Sequence, residues 1–103
     1  APLVGFGQVL SHPFVIGELA VGDLRNWGDT VAMLRALPSA KVASEDEFLF
    51  LIAGQKLART GLGFVDVHLL AACRLSPGTR LWTRDKRLAK FAEQLGVSWT
   101  EAE

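Results

Sequence analysis

A single cysteine, no long apolar run and no excess of either charge set the first bounds on this chain. Cys73, alone, can form no intramolecular disulfide and no thiolate metal cluster, in line with a reducing, cytoplasmic setting. The longest apolar stretches, such as FLFLIAG at 48–54, fall far short of the roughly 20 residues that span a bilayer. No basic segment leads into an apolar core and cleavage site, so no secretory signal is read. Lysine plus arginine number 11 and aspartate plus glutamate 11, so net charge selects no partner. Hairpin signals, internal repeats, linkers and low-complexity segments are also missing.

What is present is a chain of 103 residues, half of them hydrophobic, enough for one domain (1–103) with a single core. QVLS at 8–11 reads as a strand, and Pro13 then opens a helix over 13–26. Asp29 is placed to cap a second helix, TVAMLRAL, which stops at Pro38. After a possible strand at 40–43, Ser44 and Glu47 form a capping box for a helix reaching about Thr60. GLG at 61–63 breaks the chain. Asp66 begins a helix, VHLLAACRL, apolar on every side and so expected at the centre. Strand RLWT (80–83), helix 86–95 and strand VSW (97–99) complete the order. Strands separated by helices predict an α/β fold with a mostly parallel sheet.

Glu18, Asp66 and Asp85 stand alone in apolar or basic surroundings, whereas Glu45, Asp46 and Glu47 cluster where solvent reaches them. A carboxylate among hydrophobic neighbours loses solvation, a cost normally met by a cation or metal. Each also has a plainer explanation. Asp66 and Asp85 sit where helices begin and can act as caps, and Glu18 can pair with Arg25. Jointly they suggest more, because Asp85 directly follows a strand and so lies at its carboxyl end, where parallel sheets bind ligands. Three carboxylates converging there would need a hard cation such as Mg²⁺ or Mn²⁺, which in turn suits phosphate chemistry. Arg84, Lys86 and Arg87 flank Asp85 and are expected to hold the anionic backbone that the carboxylates alone would reject. Thr83 is expected to hydrogen-bond a metal-bound water or a carboxylate.

HPFVIGELAVG, GFVDVHLLAA and LWTRDKRLAKFAEQLGV resemble segments of PIN-domain proteins, specifically the VapC-type toxins of prokaryotic toxin–antitoxin pairs. The likeness runs from about Gln8 to Trp99. It implies a three-layer α/β/α fold and a metal-dependent endoribonuclease acting on a structured RNA such as tRNA or rRNA. It also implies an antitoxin that occupies the site, and a homodimer. Glu18, Asp66 and Asp85 match the second, third and fourth acids of the family site. The first acid follows an N-terminal strand in a motif like VDTSVWI, which has no counterpart here. The resemblance therefore implies that this chain lacks a central strand between 8–11 and 80–83. A catalytically silent PIN-like module that binds protein is the alternative. A phosphoacceptor receiver domain is disfavoured, because its acids belong at the first strand and a middle strand end.

Other residues invite chemistry less. His68 and His12 are assigned packing and turn roles, and Cys73 a small core position. Trp82, within a strand, is assigned to the core. Of the three tryptophans, only Trp27, beside Gly28 near a helix end, is expected to meet a partner.

Overall fold

Pro13 opens the first helix because its fixed φ suits position N1, where the missing N–H is no loss. The computed structural model describes residues 10–99, and five helices carry them. They are α1 (Pro13–Val21), α2 (Trp27–Ala36), α3 (Glu45–Gln55), α4 (Phe64–Leu75) and α5 (Lys86–Gln94). His12 caps α1 through Nδ1, which accepts the Phe14 N–H at 3.1 Å. α1 ends at Val21 and does not reach 26, because Gly22 turns to extended backbone and Asn26 adopts φ 48. The Trp27 indole N–H then donates to the Ala20 carbonyl at 2.8 Å and fastens the turn between α1 and α2. α2 thus starts two residues before Asp29, which lies in its first turn and is not the cap.

Ser44 and Glu47 form the expected capping box, with reciprocal bonds of 2.8 and 3.1 Å. α3 stops at Gln55, short of Thr60, because Lys56 takes the left-handed conformation at φ 56. α4 begins at Phe64, with Asp66 at its third position. α5 begins after Asp85, as its sequence predicts.

The expected three-layer sheet is reduced, among the described residues, to two isolated parallel bridges, Ser11 with Ser39 and Leu81 with Ser98. Each is a complete parallel step. The Ser11 N–H donates to Pro38 and its carbonyl accepts from Ala40; the Leu81 N–H donates to Val97 and its carbonyl accepts from Trp99. Among the described residues neither ladder lengthens, and toward the carboxyl end the chain turns into a helix cap within a few residues: His12 after Ser11, Ser44 after Ser39, Asp85 after Leu81. No bridge joins the two pairs among the described residues. Residues 8 and 9 of the expected first strand lie outside the described range.

The core gathers on α4, the helix whose apolar circumference predicts a central place. Leu70 is fully buried, surrounded by Leu51, Leu57, Val67, Ala71, Leu88, Ala92 and Val97. Burying a leucine of this kind contributes roughly 1.5–3 kcal/mol. Cys73 belongs to the same cluster, and burial pushes its thiol up to about 11, leaving an unreactive packing group. Trp82 departs from expectation. It is 47% exposed, on the outer side of a segment paired at Leu81 alone.

Candidate active site

Asp66 owes its position to the glycines before it. Gly63 caps α4 but has no side chain to bond the third N–H, so the bond runs the other way: Asp66 Oδ2 accepts the Gly63 N–H at 3.0 Å. This is half of a capping box, and it places a half-buried carboxylate at the positive end of the helix. Asp85 does the same for α5. Its Oδ1 accepts the Leu88 N–H at 3.0 Å, while its own N–H donates to Thr83 Oγ1 at 3.1 Å. The structural role of both acids is thus realised. A carboxylate has about four acceptor sites, however, so one cap bond leaves most of its capacity free.

Three elements meet the first half of α4 and the loop before it. From α1, Phe14 stacks on Phe64 with ring centroids 5.6 Å apart and meets His68 edge-on at 4.7 Å. Glu18 lies one helical turn beyond Phe14 on the same stripe, exposed. From α3, Phe48 stacks on His68 with a centroid separation of 4.2 Å. From α5, Arg87 reaches the loop before α4, its Nη1 donating to the Gly61 carbonyl at 3.5 Å. Glu18, Asp66 and Asp85 thus lie on α1, α4 and at the start of α5, but the expected convergence of the three carboxylates is not seen: Glu18 and Asp85 are exposed to solvent and only Asp66 is half-buried. Among the described residues, no three His, Cys, Asp or Glu side chains lie close enough to hold a metal ion together.

The other expected residues have specific surroundings. Thr83 accepts the Asp85 backbone N–H through its hydroxyl and, among the described residues, bonds no carboxylate. Arg84 lies over the exposed Trp82 ring, 6.0 Å from its centroid. Lys86 is exposed at the first position of α5. Arg87 is turned onto Gly61, a contact that its place in a basic run does not reveal. His68 packs, as expected, but as the hub of a ring cluster that also includes His12, 6.2 Å away. Burial holds both imidazoles below their ordinary 6.5, and for His12 the neighbouring His68 adds to the effect. The cluster is illegible in the sequence because its five rings come from three separate segments, the start of α1, α3 and α4.

Comparisons with known proteins identify the family of the chain. The family model for the PIN domain matches residues 3–94. Ribonuclease VapC32 of Mycobacterium tuberculosis, in strain CDC 1551 / Oshkosh and in strain ATCC 25618 / H37Rv, is 39% identical over 99 residues. The match covers 96% of this chain and 80% of each relative. No solved structure matches. A domain match over most of the chain and this degree of identity settle its kinship: the chain belongs to the PIN-domain family, among its VapC-type members.

Proposed function

We propose that this protein is a divalent-metal-dependent endoribonuclease, the toxin of a toxin–antitoxin pair, acting in the cytoplasm on a structured RNA such as tRNA or rRNA. The observation that carries this reading is the likeness to ribonuclease VapC32 across the segments that hold Glu18, Asp66 and Asp85. An all-oxygen donor set fits Mg²⁺ or Mn²⁺, and Mg²⁺ commonly binds through one or two carboxylates, waters and substrate phosphate instead of a protein cage. Asp66 and Asp85, each with unused acceptor sites, would hold the ion, with Glu18 as a direct or water-mediated support. A bound ion would polarise the scissile phosphate and favour ionisation of an attacking water.

The chain's own residues do the rest. Lys86 and Arg84 offset the charge of the RNA backbone that the carboxylates would otherwise repel. Thr83, by holding the Asp85 N–H, fixes the entry to α5 and with it the direction of the Asp85 carboxylate. For the partner, a groove of about 470 Å³ lies between α3 and α4, lined by Phe50, Leu51, Ala71 and Leu75 with Asp46, Glu47 and Arg74 along it. Its apolar floor and charged sides suit an antitoxin segment, which would also place a cation among the acids. Among the described residues no helix is long and apolar enough to cross a membrane. A homodimer completes the reading.

Cleavage of bulk tRNA and rRNA in Mn²⁺, abolished by EDTA and by Asp66→Asn, is the test. The capping bonds of Asp66 and Asp85 favour a second reading, a silent protein-binding module. A folded protein that captures its partner but cleaves no RNA in Mn²⁺ would establish it.

A further inference from the structure

The backbone at Gly61 demands a glycine, and the end of the Arg87 side chain lies against it. The φ of 90 at Gly61 lies where side chains are strained, and a Cβ built there would collide with the Arg87 guanidinium. The guanidinium thus occupies the volume that a side chain would fill. At 3.5 Å its bond to the Gly61 carbonyl is long, so packing against the bare backbone defines the contact. Two residues further on, the Gly63 N–H is the donor that orients the Asp66 carboxylate. Two residues before Arg87, Asp85 caps the same turn of α5.

We propose that Arg87 is a positioning residue, whose guanidinium laid on Gly61 fixes the 61–63 loop and so holds the Asp66 carboxylate in register with the helix that begins at Asp85. The catalytic part rests on the ribonuclease reading above; the contact itself does not. A surface arginine beside Asp85 would otherwise serve as a phosphate contact. The two roles differ chemically. A lysine supplies the same charge to phosphate but cannot reproduce a planar guanidinium packed on a glycine.

The experiment compares wild type, Arg87→Lys, Arg87→Ala and Gly61→Ala in two measurements. Amide hydrogen exchange, with neither metal nor RNA, follows the Gly63 N–H, and the buried Leu70 and Ala92 amides report that each variant is folded. Arg87→Lys and Arg87→Ala are expected to speed Gly63 exchange about fivefold while the core amides hold. Steady-state cleavage of a fluorescent oligoribonucleotide in Mn²⁺ is expected to show kcat lower by about tenfold in both variants, with KM unchanged. Arg87→Lys is also expected to keep the wild-type salt dependence. Gly61→Ala, which displaces the guanidinium but also strains the loop backbone at φ 90, should lower kcat at least as much as Arg87→Ala, and further still if the loop strain adds to it. Unchanged Gly63 exchange overturns the proposal, as does a higher KM in Arg87→Ala that Arg87→Lys restores. Should wild type itself cleave nothing, the ribonuclease reading fails, and the Gly63 exchange rates still decide whether Arg87 holds the loop.

Discussion

Phe48 lies flat against His68, ring planes 20° from parallel and centroids 4.2 Å apart, so a helix in the middle of the chain is fastened to the first turns of α4. The same imidazole meets Phe14 edge-on and Phe64 in a T-shape at 4.6 Å. Aromatic pairs of this kind contribute about 0.5–1.5 kcal/mol beyond their buried area. The surface that carries Asp66 is therefore braced from α1 and α3 at once. His68→Ala is expected to lower stability by about 2–4 kcal/mol, as large-to-small core changes do. Chemical denaturation measures it, and a loss below half a kilocalorie would show that the ring cluster is not cohesive.

The His12 pair with His68 gives stability a pH dependence. Burial lowers the His12 pKa below its ordinary 6.5, so at mildly acidic pH the unfolded chain binds a proton that the folded chain refuses. Stability is then fully present above 6.5 and falls as the pH drops below it. Asn at position 12 keeps a side-chain acceptor for the Phe14 N–H without the titration. Urea midpoints at pH 7.5 and pH 5 should diverge in wild type and draw together in His12→Asn. Parallel behaviour of the two proteins would remove His12 from the account.

Asp66 and Asp85 each combine a cap with proposed metal ligation, and isosteric substitution separates the two. Asn retains a carbonyl oxygen for the Gly63 or Leu88 N–H; Ala retains nothing. Asp66→Asn and Asp85→Asn are thus expected to stay within about 0.5 kcal/mol of wild type, while the alanine variants lose about 0.5–2 kcal/mol. Cleavage should fall at least about 100-fold in all four, since an amide is a poor ligand for a hard cation. Wild-type cleavage by Asp66→Asn would reduce this residue to a helix cap.

Legibility in the sequence followed the range of the interaction. Local devices were readable: Pro13 at N1, the box of Ser44 and Glu47, the cap at Asp85, the all-round apolarity of α4. Boundaries set by backbone choice were not: nothing in Lys56 announces a left-handed conformation, and Asn26, a type that adopts it more readily than most, does so only in some of its occurrences. Trp82 was misplaced because strand alternation presumes neighbours on both sides, and its segment pairs at Leu81 alone. The site divides the same way. Solitary acids were visible as types in apolar sequence, whereas the contact of Arg87 with Gly61 joins positions 26 apart, a separation no periodicity reports.

Lys86 is exposed on the first turn of α5, next to Asp85, and its contribution to RNA binding should be electrostatic alone. Lys86→Ala is expected to weaken binding of unrelated RNA sequences alike and to reduce the salt slope by about 0.7, one phosphate contact on a single strand. Filter binding at several salt concentrations reads both. A loss confined to one sequence, at unchanged slope, would instead give Lys86 a role in base recognition.

Phe50 is 80% exposed at the edge of the groove between α3 and α4. So large an apolar ring in water costs solvation that a partner would recover, and aromatic anchors dominate interface energetics. The groove walls carry Asp46 and Glu47 toward the start of α3 and Arg74 near the end of α4, so a bound segment is oriented by charge at both places. Phe50→Asp adds a carboxylate beside the two already present and removes the anchor. It is expected to lower affinity for the antitoxin at least about 30-fold, or about 2 kcal/mol. Cleavage by the free protein should be unaffected, because Phe50 lies on α3, away from the turn that presents Asp66. Titration calorimetry with the partner and RNA cleavage in its absence test both halves. Undiminished partner binding would move the interface off this groove, while lost cleavage in a folded Phe50→Asp variant would show that the groove belongs to the nuclease surface itself.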